Sequence, residues 1–278
     1  MEKRIFKNLL ACSAILAGGA LLTSCDDIDE QDRLIPVERP TVERVVLALD
    51  FTGMRCVNCP NAAETLHNSM EKYPGSVIVV GIHANAAGDF TLPLGPLDLR
   101  APVSDVYYNY FKPAALPSAS IDGATVLSGT ELSKWTATID ANISRPAPAD
   151  IELLTDYNES SREVTVDYKV TFNEMHSEDT SILLWITESD ITGPQLSTSG
   201  FILEYKHNHV LRASLNGDWG EVLGSNFTTE QECSGTATLK LDESWNAANC
   251  EIVGFIFNTA NKSVQQAASA HVVGTAEE

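Results

Sequence analysis

Val45-Val46-Leu47-Ala48-Leu49-Asp50-Phe51-Thr52-Gly53-Met54-Arg55-Cys56-Val57-Asn58-Cys59-Pro60 is the stretch on which the reading of this chain turns. From Val45 to Phe51 it is apolar except for Asp50, which fits a buried strand; a short turn and two cysteines two residues apart follow. Such a pair closes a small disulfide ring or binds a soft metal, and the strand before it favours the redox reading.

Downstream, Ala63, Leu66, Met70 and Tyr73 recur at spacings of 3, 4 and 3, a helix that Pro74-Gly75 ends. Val77 to Ile82 reads as a second buried strand, so strand, helix and strand make a right-handed crossover with parallel strands. Residues 85–104, with Gly88, Pro93, Gly95, Pro96 and Pro102, read as a long excursion. Val103 to Phe111 then reads as helical through Val106, Tyr107, Tyr110 and Phe111. Asp122-Gly123 between two short apolar runs is a hairpin turn signal. Ser128 and Glu131 fit a capping box for a helix with Leu132, Trp135, Ile139 and Ile143 on one face.

This order of elements around Cys-x-x-Cys resembles the thioredoxin fold over residues 43–145. The resemblance implies a cis-proline beside the cysteine pair, at Pro117, and a buried acid six residues before the first cysteine, at Asp50. It also implies catalytic roles: Cys56 attacks a disulfide as thiolate, Cys59 resolves the mixed disulfide, Asp50 carries its proton and Pro117 shapes the groove. Met54-Arg55 stands where that family often has tryptophan, and Pro60 belongs in the first turn of a helix, which sets Cys56 back from the helix dipole. A permanent Cys56–Cys59 staple is the competing reading, as is a structural buried acid at Asp50.

Upstream, Lys3, Arg4 and Lys7 precede an apolar run from Leu9 to Leu22, a signal peptide over residues 1–24 that is too short for a comfortable membrane span. Leu22-Thr23-Ser24-Cys25 resembles the lipobox of bacterial lipoproteins, which implies cleavage before Cys25 and acylation of that cysteine. Asp26-Asp27-Ile28-Asp29-Glu30 begins an acidic tether over 25–42, similar to export signals that carry some lipoproteins to the outer face of the outer membrane. The expected location is the outer membrane, lipid-anchored, facing periplasm or cell surface.

The whole chain carries 18 Lys+Arg against 38 Asp+Glu, a formal charge of −20. That excludes nucleic acid as a partner, since counterion release needs a basic face. Cysteine usage suits an oxidising compartment. With Cys12 in the signal peptide and Cys25 acylated, Cys56 and Cys59 form one pair, and Cys233 and Cys250 are the candidates for a structural disulfide.

Ser144 to Asp150 is proline-rich, with the linker placed at 146–150. From Arg162 the chain alternates, with Val164, Val166, Tyr168, Val170 and Phe172 on one face, and strands are expected at 182–187, 209–215, 236–241, 251–258 and 264–272. Residues 151–278 therefore read as an all-β, immunoglobulin-like sandwich after the α/β thioredoxin-like domain. His207 and His209, at i and i+2 on an expected strand, share a face, yet no acidic or cysteine partner for a metal is identifiable, so they read as structural, as do His67 and His83. No metal and no cofactor is expected.

Phe51-Thr52-Gly53 leading into Cys56-Val57-Asn58-Cys59-Pro60, with Leu116-Pro117, His207-Asn208-His209-Val210-Leu211-Arg212 and Val264-Gln265-Gln266-Ala267, resembles the 28-kilodalton outer-membrane lipoprotein family of anaerobic gut and oral bacteria. The resemblance implies a surface-receptor or adhesin role without a defined reaction. Two functions stand: thiol-disulfide exchange on envelope or surface protein clients through Cys56 and Cys59, or a non-catalytic module that binds a surface ligand.

Overall fold

In the computed structural model, which describes residues 43–274, the apolar stretch Val46–Phe51 forms strand β1 and Val77–Ile82 forms β2, paired in parallel from Val46 opposite Val77 to Phe51 opposite Ile82. Helix α1, Cys59–Lys72, makes the crossover, with Pro60 in its first turn, where a missing N–H costs no hydrogen bond. Helix α2 is Pro102–Phe111, likewise opened by proline. Strand β3, Ser118–Ile121, pairs antiparallel with β1, and β4, Leu127–Ser128, pairs with β3 across a turn in which Asp122 and Gly123 both have positive φ. Helix α3 is Leu132–Ile143; Ser128 belongs to β4 and its hydroxyl bonds Thr130, so the expected capping box does not form.

Alternation along β1 sorts its side chains into two layers. Val46 and Ala48 pack against α1 and α3 around the buried Trp135, whereas Leu47, Leu49 and Phe51 pack on the other face with Tyr107 of α2.

The strands that follow are β5 Ala149–Asn158, β6 Glu163–Phe172, β7 Thr180–Glu188, β8 Ile191–Ser197, β9 Gly200–His207, β10 Val210–Ser214, β11 Glu221–Gly224, β12 Glu232–Lys240, β13 Cys250–Asn258 and β14 Val264–His271. The main sheet runs β14-β13-β7-β10-β2-β1-β3-β4, with β11 also on β7; β12-β6-β5 forms a second sheet and β8-β9 a two-stranded hairpin.

This topology corrects the expected fold class. There is no separate α/β thioredoxin-like domain followed by a self-contained sandwich, because strands from both halves form one sheet. The junction is β2, whose outer edge takes β10 in parallel at Gly81 opposite Val210, and the Gly81 N–H donates to the His209 carbonyl at 2.8 Å. The physical reason is edge satisfaction: a buried backbone group cannot be left unpaired, and β10 with the turn before it takes the β2 edge at Gly81.

The cores merge with the sheet. All nine residues of β7 are buried. Its Leu183 and Trp185 face Phe51 and Tyr107, and the Trp185 indole N–H donates to the Tyr107 hydroxyl at 2.7 Å. Its Ile182, Leu184 and Ile186 face Val166, Val170 and Phe172 of β6 in the second sheet. Strand β13 divides in the same way, Val253, Phe255 and Phe257 against Ile252 and Ile256. The β-rich half does stack two sheets, but one of them continues into the helical half.

Candidate functional site

The expected site starts where β1 ends. Gly53 is required there, because a Cβ on it would lie 2.3 Å from the Phe90 carbonyl oxygen, and Phe90 also accepts a hydrogen bond from the Arg55 N–H at 2.9 Å. The excursion at 85–104 thus packs down on the cysteine turn, burying Met54 against Leu99 and Val210. Cys56 and Cys59 are joined by a disulfide. Cys59 is the first residue of α1 and Asn58 its cap, so Cys59, not Cys56, sits at the helix N-terminus.

Both cysteines are only 2% exposed. The cover is the β8-β9 hairpin: the Gln195 side-chain amide donates to the carbonyls of Gly53 and Cys56, each at 3.1 Å, and the Leu196 N–H donates to the Met54 carbonyl at 2.8 Å. Neither strand of this hairpin is among the sequence expectations above. Its signal is present in the β-prone apolar and aromatic run Phe201-Ile202-Leu203 with Tyr205, after the polar turn Thr198-Ser199-Gly200.

Under the hairpin lies a cleft of about 330 Å³. Cys59, Pro60, Ala63 and Met70 of α1, Asp50 and Val79 of the sheet, and Tyr205 to His209 form its walls, and exposed Glu64 and His67 stand at its mouth. Asp50 and Cys59 are therefore brought together at one cleft. Cys56 and Pro117 do not line it. Pro117, with a cis Leu116–Pro117 bond, precedes β3 at the end of β1, and Leu116 packs in the core cluster that holds both cysteines.

The electrostatics of the cleft come from burial. Asp50 has an oxygen with no hydrogen-bond partner, and desolvation pushes its carboxyl up to about 7. His83 and His207 are 3% and 4% exposed, with ring centroids 6.2 Å apart. Desolvation lowers them to about 3 and about 4, so both are neutral near pH 7. Tyr205 is pushed up, first by burial and then by the charges of Asp50 and Glu64.

His83, His207 and His209 all line this cleft, a placement that lone-histidine reasoning missed. His207 ends β9 and His209 has φ of 55° in the turn before β10, so the two are not neighbours on one strand face as the i, i+2 spacing suggests. Among the described residues no group of three His, Cys, Asp or Glu is disposed to hold a metal ion.

The expected Cys233–Cys250 bridge is absent, and both are free thiols. Cys233 is held on β12 opposite Val170, and Cys250 on β13 opposite Glu188, in two different sheets. Stacked sheets stand about 10 Å apart, beyond the roughly 7 Å Cα separation a disulfide can span. Burial, reinforced by Glu188, pushes the Cys250 thiol up to about 12 and leaves it unreactive. The signal peptide, Cys25 and the acidic tether lie outside the described residues.

Comparison with known proteins agrees with the family resemblance. A family described as Outer membrane protein Omp28 matches residues 104–276, more than half of the chain. Among solved structures, HBP35 of Porphyromonas gingivalis is 15% identical, covers 86% of this chain and 80% of its own, and superimposes with a TM-score of 0.63. A protein from Agrobacterium tumefaciens is 16% identical over 85% of this chain and 99% of its own, with a TM-score of 0.50. At these identities the likeness is one of fold. No curated protein sequence matches the chain significantly.

Proposed function

This chain belongs to the Omp28 family of outer membrane proteins, and we propose that it is anchored there through acylated Cys25 and exchanges disulfides with envelope or surface proteins through Cys56 and Cys59. The observation that carries the reading is the unpaired, buried Asp50 carboxyl sharing a cleft with Cys59. A carboxyl that titrates near 7 is suited to take a proton from a thiol and return it at neutral pH.

In the reductive direction the Cys56 thiolate attacks a client disulfide, forming a mixed disulfide and releasing one client thiolate. Asp50 takes the proton of Cys59, whose thiolate then attacks Cys56 Sγ, so the client leaves as a dithiol and Cys56–Cys59 re-forms. Two electrons pass from the protein to the client. The oxidative direction is the reverse, begun by a client thiolate. Either way the Gln195 strap must lift, since Cys56 is 2% exposed beneath it.

A second reading has its own observation. Both cysteines are buried and the Cys56 carbonyl is clamped by Gln195, which suits a disulfide that only braces the wall of a binding cleft in a surface module. The reduction potential of the pair against glutathione separates the two. A value between about −270 and −120 mV is expected for exchange, and one below about −300 mV overturns exchange in favour of the binding module.

A further inference from the structure

Among the described residues five buried side-chain polar atoms have no hydrogen-bond partner, and three of them, Asp50 Oδ1, His83 Nδ1 and His207 Nε2, belong to residues that line this one cleft. Each unpaired buried group costs about 1–3 kcal/mol. Their convergence marks a place that a ligand completes.

The chemistry of that ligand follows from what the three groups offer. Asp50 offers a carboxylate. His207 is neutral, and its Nε2, buried with no hydrogen-bond partner, can accept when Nδ1 carries the proton. His83 is neutral as well, and its Nδ1 can accept. Among the described residues, Arg212 is the one cation whose charge reaches both His83 and His207, and it does not line the cleft and is paired with Glu188 at 2.7 Å. Lys206 is the only lysine or arginine in the lining, and its ammonium is held by Asp190 at 2.6 Å. Glu64 adds a second acid at the mouth, and the chain as a whole carries −20. The volume, about 330 Å³, lies within the range of small-ligand sites.

We infer that the floor of this cleft receives a protonated amine or a guanidinium, with Asp50 as its counter-ion and His207 Nε2 as a second acceptor. The group arrives either at the tip of a lysine or arginine side chain of a partner protein or as a free small amine. The inference stands apart from thiol turnover, because the cleft is complete while the Cys56–Cys59 disulfide is intact.

The test uses the full oxidised chain and follows the imidazole nitrogens of His83 and His207 by NMR during titration. Four probes are added in turn: agmatine, the capped tripeptide acetyl-Gly-Arg-Gly-amide, n-pentanol as a neutral match, and acetate. Agmatine, the tripeptide or both are expected to shift the two rings saturably, and Asp50→Asn is expected to weaken that binding at least about tenfold, the loss of one charge-assisted hydrogen bond. Asp50→Asn removes a buried charge and keeps the fold; Glu64→Gln, at the exposed mouth, is a second variant and should weaken binding about twofold. Tighter binding of the tripeptide assigns the group to a partner protein, and equal or tighter binding of agmatine assigns it to a free amine. No saturable shift, equal shifts with pentanol or acetate, or unchanged affinity in Asp50→Asn overturns the inference. Thiol exchange plays no part in this readout, so an inert disulfide leaves the result interpretable.

Discussion

Two buried aspartates, Asp50 and Asp122, stand near opposite ends of the β1–β3 strand pair and differ in what surrounds them. Asp122 accepts from the Leu47 N–H at 2.9 Å and from the Asn142 amide at 2.9 Å, and pairs with the Arg44 guanidinium at 2.8 Å. Asp50, equally buried, has a carboxylate oxygen with no partner at all. The first ties β1 to α3 and to the turn after β3. The second faces a cleft. A buried acid that is fully bonded belongs to the scaffold, whereas one left unpaired is kept at a cost in stability and points to use.

Removing the bonded acid should have the largest effect. Asp122→Ala leaves the Arg44 guanidinium buried without its charge partner and should cost about 3–5 kcal/mol, read as a drop in the urea midpoint. A loss below about 1 kcal/mol would erase the distinction between the two sites.

Asp50→Asn should act in the opposite direction. The folded carboxyl titrates near 7 and the free one near 3.8, so the unfolded chain gives up its proton first and stability falls as pH rises from about 4 to 7. The substitution should therefore stabilise by about 2–4 kcal/mol at pH 8 and by little at pH 4. Urea midpoints at the two pH values check this. Equal effects at both would mean Asp50 is paired in solution.

The cleft histidines have the mirrored sign. Their folded values, about 3 and about 4, lie below the free value of 6.5, so stability is full above pH 6.5 and is lost as pH falls toward those values. His83→Gln should flatten that acid limb, recovering about 2 kcal/mol at pH 5, visible in a melting series. An unchanged limb would remove His83 from the buried, neutral set.

The smallest effect concerns the strap. Gln195→Ala removes the hydrogen bonds to the Gly53 and Cys56 carbonyls and should cost about 1–2 kcal/mol while speeding reduction of the disulfide by dithiothreitol about tenfold. Unchanged reduction would show that the hairpin does not guard the sulfurs.

The elements of the helical half were legible because each has a local cause. The apolar run of β1, the 3-4-3 spacing of α1, the apolar strand β2 and the Asp122-Gly123 turn all lie where periodicity and turn chemistry put them. Strands β6 and β13 were legible too, β6 by its alternation. The β8-β9 hairpin was not: Phe201-Ile202-Leu203 is an unbroken apolar run with no period of two, Phe201 and Leu203 lie exposed, and what anchors the hairpin is the polar Gln195 and His207, whose burial no local pattern announces. Asp122 reads in the sequence as a turn residue, and its partners Arg44 and Asn142 lie 78 and 20 residues away, so its role in the network is invisible locally.

The amino-acid order alone was enough for the cysteine pair and its strand and for the family, since these rest on residue types and short spacings. Whether the two halves are separate domains was not within its reach. That depends on which strand covers the open edge of β2, a pairing between Gly81 and Val210 that no local pattern encodes. The cleft is likewise a tertiary product. Asp50 and Cys59 come from one stretch of chain and His83 and His207 from two others, and the meeting of all four, with three polar groups left unpaired, exists only once β10 has docked on β2 and the hairpin before it has closed over α1.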